Sequence, residues 1–220
     1  MTLDRAFATR THIPLLFLST FDCPADSKQM QFYARKLPSD IGRWSSTLPF
    51  HVTQGALSAN TLTNREIGEQ FQADYILTGD LQLLDEGIRA SVVISQARGG
   101  RQLWARTYQL DGADTSMLID KLAGNIAIAI ALSFHQFEAE RLKDVPEDQL
   151  DAWGLTTLSM RLSMRTGQEA REWLRIGRLA VQRDGDCAEA HANLANGILA
   201  ILLASFDCDI SDEDLKREAL

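Results

Sequence analysis

Cysteine is scarce in this chain of 220 residues. Cys23, Cys187 and Cys208 are odd in number and none sits in a CxxC spacing, which excludes a disulfide framework and a cysteine-rich zinc site. Phosphate-cradling loops are lacking as well. Gly87 and Gly99-Gly100 fit neither GxxxxGK(S/T) nor GxGxxG behind a strand, so nucleotide chemistry of those kinds is not expected. No GxSxG elbow occurs, and neither Ser45-Ser46 nor Ser116 has a histidine at a recognisable spacing. The four histidines, His12, His51, His135 and His191, form no HxxxH or HExxH pattern. Without converging ligands, no metal is expected. Long hydrophobic runs are absent too: Ile13 to Leu18 and Ile126 to Leu132 fall short of the roughly 18 to 20 residues that cross a bilayer. Ser19-Thr20-Phe21-Asp22-Cys23 is a poor cleavage site behind too short an apolar segment, so neither a spanning segment nor an export signal is expected.

What is present describes an ordinary globular chain. Hydrophobic residues make up 45% and charged residues 24%, enough apolar mass for one large domain or two modest ones. The net charge of −8 opposes a phosphate backbone. It is unevenly placed: residues 1–110 carry eleven basic and ten acidic side chains, residues 111–220 eleven and twenty. A compositional border therefore falls near the middle. With no recognition-helix pattern beside that charge, direct nucleic-acid binding is not expected.

Along the chain, Ile13 to Leu18 reads as a strand covered on both faces, with Pro14 tolerable only at its beginning or edge. After the turn residues from Asp22 to Ser27, Met30, Tyr33, Ala34, Leu37, Ile41 and Trp44 mark one face of a helix over 29–44. Pro38 is expected to kink or break it. Pro49 to Thr53 reads as a second strand, and Asn64 as the N-cap of a short helix that buries Ile67 and Phe71. Three strands follow over 75–83, 88–94 and 102–108, punctuated by Asp85-Glu86-Gly87 and Arg98-Gly99-Gly100, turns in which glycine accepts positive φ. They form a meander. Leu118, Leu122, Ile126, Ile130, Phe134 and Phe137 then make a stripe suited to a helix over 116–142 lying on that sheet. The charged break at 143–149, with Pro146, reads as a linker.

Beyond it there is no strand signal. Leu150 to Met164, Gln168 to Arg183 and Ala188 to Ala204 read as three helices. Asp151-Ala152-Trp153 and Glu189-Ala190-His191 begin alike, at a spacing near the roughly 34 residues of tetratricopeptide repeats. Ser211 resembles the cap of another helix. So few units would leave an apolar face uncovered, so the chain is expected to be part of a longer protein.

Arg65-Glu66-Ile67-Gly68, then Ala73-Asp74-Tyr75-Ile76-Leu77-Thr78-Gly79-Asp80-Leu81, then Gln102-Leu103-Trp104-Ala105-Arg106-Thr107-Tyr108 occur in an order that resembles the TolB-like amino-terminal domain of bacterial multidomain regulators. There it is followed by tetratricopeptide repeats. The resemblance covers about residues 11–142, with the helical tail as the usual partner domain. Trp153 and His191 depart from it, standing where Tyr is common. It implies an α/β, mixed-sheet TolB-like domain over 11–142, a linker at 143–149, and an all-α tetratricopeptide-like array over 150–220, expected to be truncated. It also implies protein contacts in signalling or transcription-regulating proteins. DNA binding or cyclase activity, supplied in relatives by a winged-helix or cyclase domain, is not expected of these residues, the first ten being too few to form such a domain.

The remaining polar clusters have bland readings. The acids between Asp207 and Asp214 do not follow a calcium-loop pattern and read as a solvated helix start. Trp104 and Tyr108 read as packing under the long helix. Arg161, Arg165, Arg171, Arg175 and Arg178 form a basic surface, paired in part with Glu169 and Glu172, and the sharper reading is a groove for an acidic peptide.

The expected function is therefore a non-enzymatic regulatory and protein-interaction segment. Its protein or peptide partner would meet Trp153, Arg171, Trp173 and Arg175. No catalytic residue, cofactor or metal site is assigned, and self-association is compatible with this reading. A cytoplasmic setting is expected, the alternative being the periplasmic part of a membrane-anchored regulator. The alternative function is a small-molecule-sensing, nucleotide-sensing or enzymatic α/β domain using the loop around Asp22 and Asp26 beside Arg106.

Overall fold

A computed structural model describes residues 13–45, 50–58, 62–162 and 165–204. The helix start expected at Ser211, the acids from Asp207 to Asp214, Cys208, His12 and Ser46 lie outside the described residues. The chain divides into two compact units, Ile13–Phe134 and a second that takes in His135 onward.

The first unit is mixed α/β. Its elements are β1 (Leu15–Thr20), α1 (Lys28–Ser45), β2 (His51–Ser58), α2 (Asn64–Phe71), β3 (Tyr75–Leu84), β4 (Gly87–Gln96) and β5 (Gln102–Asp111), followed by α3 (Thr115–Leu142), which runs past the division. The strands form one sheet in the order β2-β1-β3-β4-β5. β1 pairs in parallel with β2 and β3, while β3, β4 and β5 form the antiparallel meander expected from their alternation. Register fixes the faces. Leu16 and Leu18 share a side with Tyr75, Leu77, Ile94, Val92, Ala90 and Ile88, all buried. The α3 residue Phe134 meets that side, its ring edge-on to Tyr75 at 5.1 Å and stacked on Phe50 at 4.1 Å. The opposite side buries Phe17 and Ile76 with Ile67, Ala73 and Ala97 beneath α2.

Leu118, Leu122, Ile126, Ile130 and Phe134 are buried, as their spacing predicts, and Phe137 is half-buried. By length and composition alone α3 could cross a membrane, yet half of its most apolar window is buried inside the protein. Ile128 and Leu132 face outward.

Two local expectations are amended: α1 is not broken at Pro38, and α2 is capped one residue earlier than Asn64. Pro38 lies buried inside α1, and the helix continues through it to Ser45. A proline has no amide to offer the carbonyl four residues back, but the Phe21 N–H donates to Ala34 O at 3.1 Å in its place. The N-cap of α2 is Thr63 and not Asn64: Thr63 Oγ1 accepts from the Glu66 amide, and Glu66 Oε2 accepts from the Thr63 amide at 2.7 Å. This reciprocal box satisfies two amides that one Asn cap would not. Donation from the Thr63 amide and hydroxyl to Glu66 Oε2 holds that carboxyl below its ordinary range.

The glycines of the family-like motifs mark close approaches. A Cβ on Gly68 would lie 2.7 Å from the Ala97 Cβ, and one on Gly79 would lie 2.5 Å from the Phe21 ring and 2.6 Å from Ser91 O. Ile67-Gly68 thus seats α2 on the sheet, and Leu77-Thr78-Gly79 admits Phe21.

The second unit is helical among its described residues. A 3-10 turn at Glu147–Gln149 precedes α4 (Ala152–Ser159), α5 (Gly167–Arg183) and α6 (Ala188–Ala204). α4 is shorter than the 150–164 expected. It begins after Asp151, whose carboxylate accepts from the Gly154 amide at 2.7 Å. Near its end, Ser159 Oγ donates to Thr156 O at 2.7 Å, a local side-chain bond of the kind that competes with continued helix. Thr166 caps α5 through the Glu169 amide. Ala170 and Leu174 of α5 pack on Leu194, Ile198 and Ile201 of α6. Between α4 and α6, buried Asn193 Nδ2 donates to Ser159 Oγ at 2.8 Å. An ion pair near the end of α3 is also enclosed: Glu138 and Arg141 have side chains 1% and 8% exposed.

Candidate functional site

Helical spacing on α5 brings Gln168, Arg171, Glu172, Arg175, Arg178, Leu179 and Gln182 to one face, because positions three and four apart are neighbours. These residues line a shallow groove of about 690 Å³. Along it Leu179 is half-buried and Arg171, Arg175 and Arg178 are exposed. A groove with three guanidinium groups and one carboxylate can take carboxylate side chains, since guanidinium meets carboxylate bidentately.

The four residues expected to contact a partner do not share one role. Arg171 and Arg175 lie in the groove. Trp153 does not: it is 5% exposed and serves the core around α4. Trp173 lies against α6, its Nε1 donating to Asn193 O at 3.4 Å. A Cβ on Gly197 would fall 2.5 Å from that nitrogen. Trp153 is thus buried, while Trp173 is half-buried against α6.

Arg175 is already engaged. It donates from Nη1 and Nη2 to the two oxygens of Glu147 at 2.9 and 2.6 Å, and from Nε and Nη2 to Glu172 at 2.9 and 2.8 Å. Those bonds hold the Glu147 carboxyl below its ordinary range and push the Arg175 guanidinium further up. Two turns further along, Arg183 Nη1 donates to the carbonyls of Asp148 and Leu150 at 3.1 and 2.5 Å. Arg175 and Arg183 together clasp the 147–150 segment to α5. The sequence reading placed Glu147 in a linker and missed this role; the only signal was Pro146-Glu147-Asp148 as a helix-like acidic start. The sequence reading did not name Gln168, Leu179 and Gln182, which helical spacing from Arg171, Arg175 and Arg178 places on the same face.

Residues proposed for the alternative site are not brought together. Arg106 on β5 lies over the Tyr108 ring, 5.5 Å from its centroid, with β3 and β4 between it and β1. Three strand spacings of about 4.8 Å put it roughly 14 Å from Asp22. β1 and β3 also do not splay there: Asp22 N donates to Gly79 O and Leu81 N to Asp22 O, both at 2.8 Å. Phe21 fills the space over Gly79. Elsewhere in this unit Thr20, Arg35, Pro38, Ser39, Gln54 and Gly55 line a hollow of about 290 Å³. Trp104 and Tyr108 are half-buried on the helix side of β5.

In the second unit, burial pushes the His135 imidazole below its usual range. His191 Nε2 lies 2.8 Å from Gly185 O, a link within the α5–α6 connection. Cys23 and Cys187 are free thiols, and burial raises both. Among the described residues no group of three or more His, Cys, Asp and Glu could hold a metal ion.

No protein-family model matches the chain, and no curated protein matches it. Similar solved structures include a variant PelC dodecamer from Paraburkholderia phytofirmans, at 11% identity over 54% of this chain and 88% of that one, with a TM-score of 0.45. The lipoprotein GNA1162 from Neisseria meningitidis is 13% identical over 55% of this chain and 99% of its own, with a TM-score of 0.41. TolB from Acinetobacter baumannii is 12% identical over 56% of this chain, which spans only 29% of TolB, with a TM-score of 0.38. Similarity at this level carries no functional assignment.

Proposed function

We propose that the chain is a non-enzymatic protein-interaction segment, a TolB-like α/β domain joined to a tetratricopeptide-like helical array, as in the bacterial regulators its motifs resemble. The observation that carries this reading is the α5 groove, where Arg171, Arg175 and Arg178 stand around Leu179. The ligand it suits is an acidic segment of a partner protein with an apolar side chain among its carboxylates. Arg171, Arg175 and Arg178 would supply the guanidinium contacts to its carboxylates, with Arg175 also bound to Glu147 and Glu172. A cytoplasmic setting goes with this reading, and the periplasmic side of a membrane-anchored regulator is its alternative.

The test uses the whole chain and a labelled peptide of alternating glutamate and leucine. Binding should weaken as salt is raised and should be lost in Arg171→Glu/Arg178→Glu, with the melting temperature unchanged. Equal binding by the parent and the double variant would overturn the groove assignment. A thermal-shift response to nucleotides, with none to the peptide, would favour a sensing domain, because a ligand that binds only the folded state raises its melting temperature.

A further inference from the structure

The two edges of the sheet differ. At the β2 edge the ladder with β1 runs regularly from Leu15↔His51 to Leu18↔Gln54 and then shifts before Thr20↔Ser58. At the other edge, β5 pairs with β4 without a break from Ile94↔Trp104 to Gly87↔Asp111, the one shift lying beyond Trp104. Eight consecutive residues therefore present a straight outer edge, where alternate backbone N–H and C=O groups point away from β4. Among the described residues no other strand pairs with them. Edges of this length are usually blunted by proline, lysine or a bulge; the run from Trp104 to Asp111 has none of these, and its only charges are Arg106 and Asp111.

We propose that this edge pairs with β5 of a second copy of the chain, antiparallel and centred on Thr107. A twofold axis normal to the sheet keeps each face continuous, so residues brought opposite each other must share a face. The helix-side residues of β5 are Trp104, Arg106, Tyr108 and Leu110, in line with buried Ile94, Val92, Ala90 and Ile88. Centring on Arg106 would set two guanidinium groups against each other. Centring on Thr107 sets Arg106 against the partner's Tyr108 and Trp104 against the partner's Leu110. Thr107 then meets its own equivalent on the outer face. These are a cation over a ring, an aromatic–aliphatic pair and a Thr–Thr pair, each a favourable cross-strand combination. Trp104, Tyr108 and Leu110 are only half-buried in one copy, so pairing covers apolar surface as well. The result is one continuous sheet of ten strands. Self-complementarity about Thr107 selects a second copy over an unrelated extended peptide.

Sedimentation of the full chain across a concentration series, together with a cysteine at the centre of the proposed ladder, tests this. Opposed residues in an antiparallel pair have Cα atoms about 4.5 to 5.5 Å apart, within the span of a disulfide. The parent chain should sediment as a dimer, and Thr107→Cys should give a linked 107–107 peptide by mass spectrometry under mild oxidation. Gln102→Cys, outside the paired run, should give no self-linked peptide. Thr107→Lys opposes two ammonium groups and should leave only monomer at the concentration where the parent is dimeric, with an unchanged circular dichroism spectrum. A parent that stays monomeric at about 0.1 mM overturns the proposal. So does a dimer that survives Thr107→Lys without yielding the 107–107 link, or a monomer that binds an extended peptide along β5.

Discussion

The Phe21 amide donates to the carbonyl of Ala34, the acceptor that Pro38 leaves without a helical donor. A loop thereby completes a helix. Replacing an interior proline by alanine ordinarily favours helix by about 3 kcal/mol. Here a new amide at 38 would compete with the Phe21 amide for one oxygen. Pro38→Ala should therefore stabilise by about 1 kcal/mol or less. Urea unfolding measures it; a gain near the full helical value would show that the Phe21 bond contributes nothing.

Gly197 sits mid-helix where alanine would normally be preferred by about 1 kcal/mol. Its missing Cβ, however, leaves room for the Trp173 indole, which an added carbon would meet at 2.5 and 2.6 Å. Overpacking of this kind costs roughly 1 to 3 kcal/mol, so Gly197→Ala should lower the melting temperature. An unchanged or raised value would mean that α5 and α6 separate freely at this contact.

The clasp on Glu147 gives an acid-sensitive contribution. Its folded carboxyl lies below the ordinary range because Arg175 donates to it, so the associated stability is present above the unfolded carboxyl's pKa and disappears as pH falls through the folded one. The pair is 42% and 48% exposed, and solvent screening limits it to about 0.5 kcal/mol. Glu147→Gln should lower the urea midpoint slightly at pH 6 and match the parent near pH 3. A variant that is equally destabilised at both values would assign the loss to packing instead of charge.

Much of the first unit was legible because its signals are local. Alternation with Gly99 and Gly100 at positive φ defines the meander, and the four-residue stepping from Leu118 to Phe134 defines the buried stripe. What sequence could not supply were partners far along the chain. Pro38 survives through Phe21, seventeen residues earlier, and Arg175 is occupied by Glu147, twenty-eight residues earlier. Trp153 carries the same side chain whether it faces a partner or a core, and only its packing in the folded chain decides for the core. Gly197, by contrast, was an available signal: a glycine inside a helical pattern marks a close neighbour.

Phe134 anchors the first unit from within a helix that continues to Leu142. Anyone dividing the gene to make the sheet domain alone must keep that anchor away from a fraying end, since the last four carbonyls of a helix lack internal donors. Cutting directly behind Phe134 would loosen its stacking on Phe50. Cutting after Leu142 retains two further turns, and that is the safer place for a stop codon.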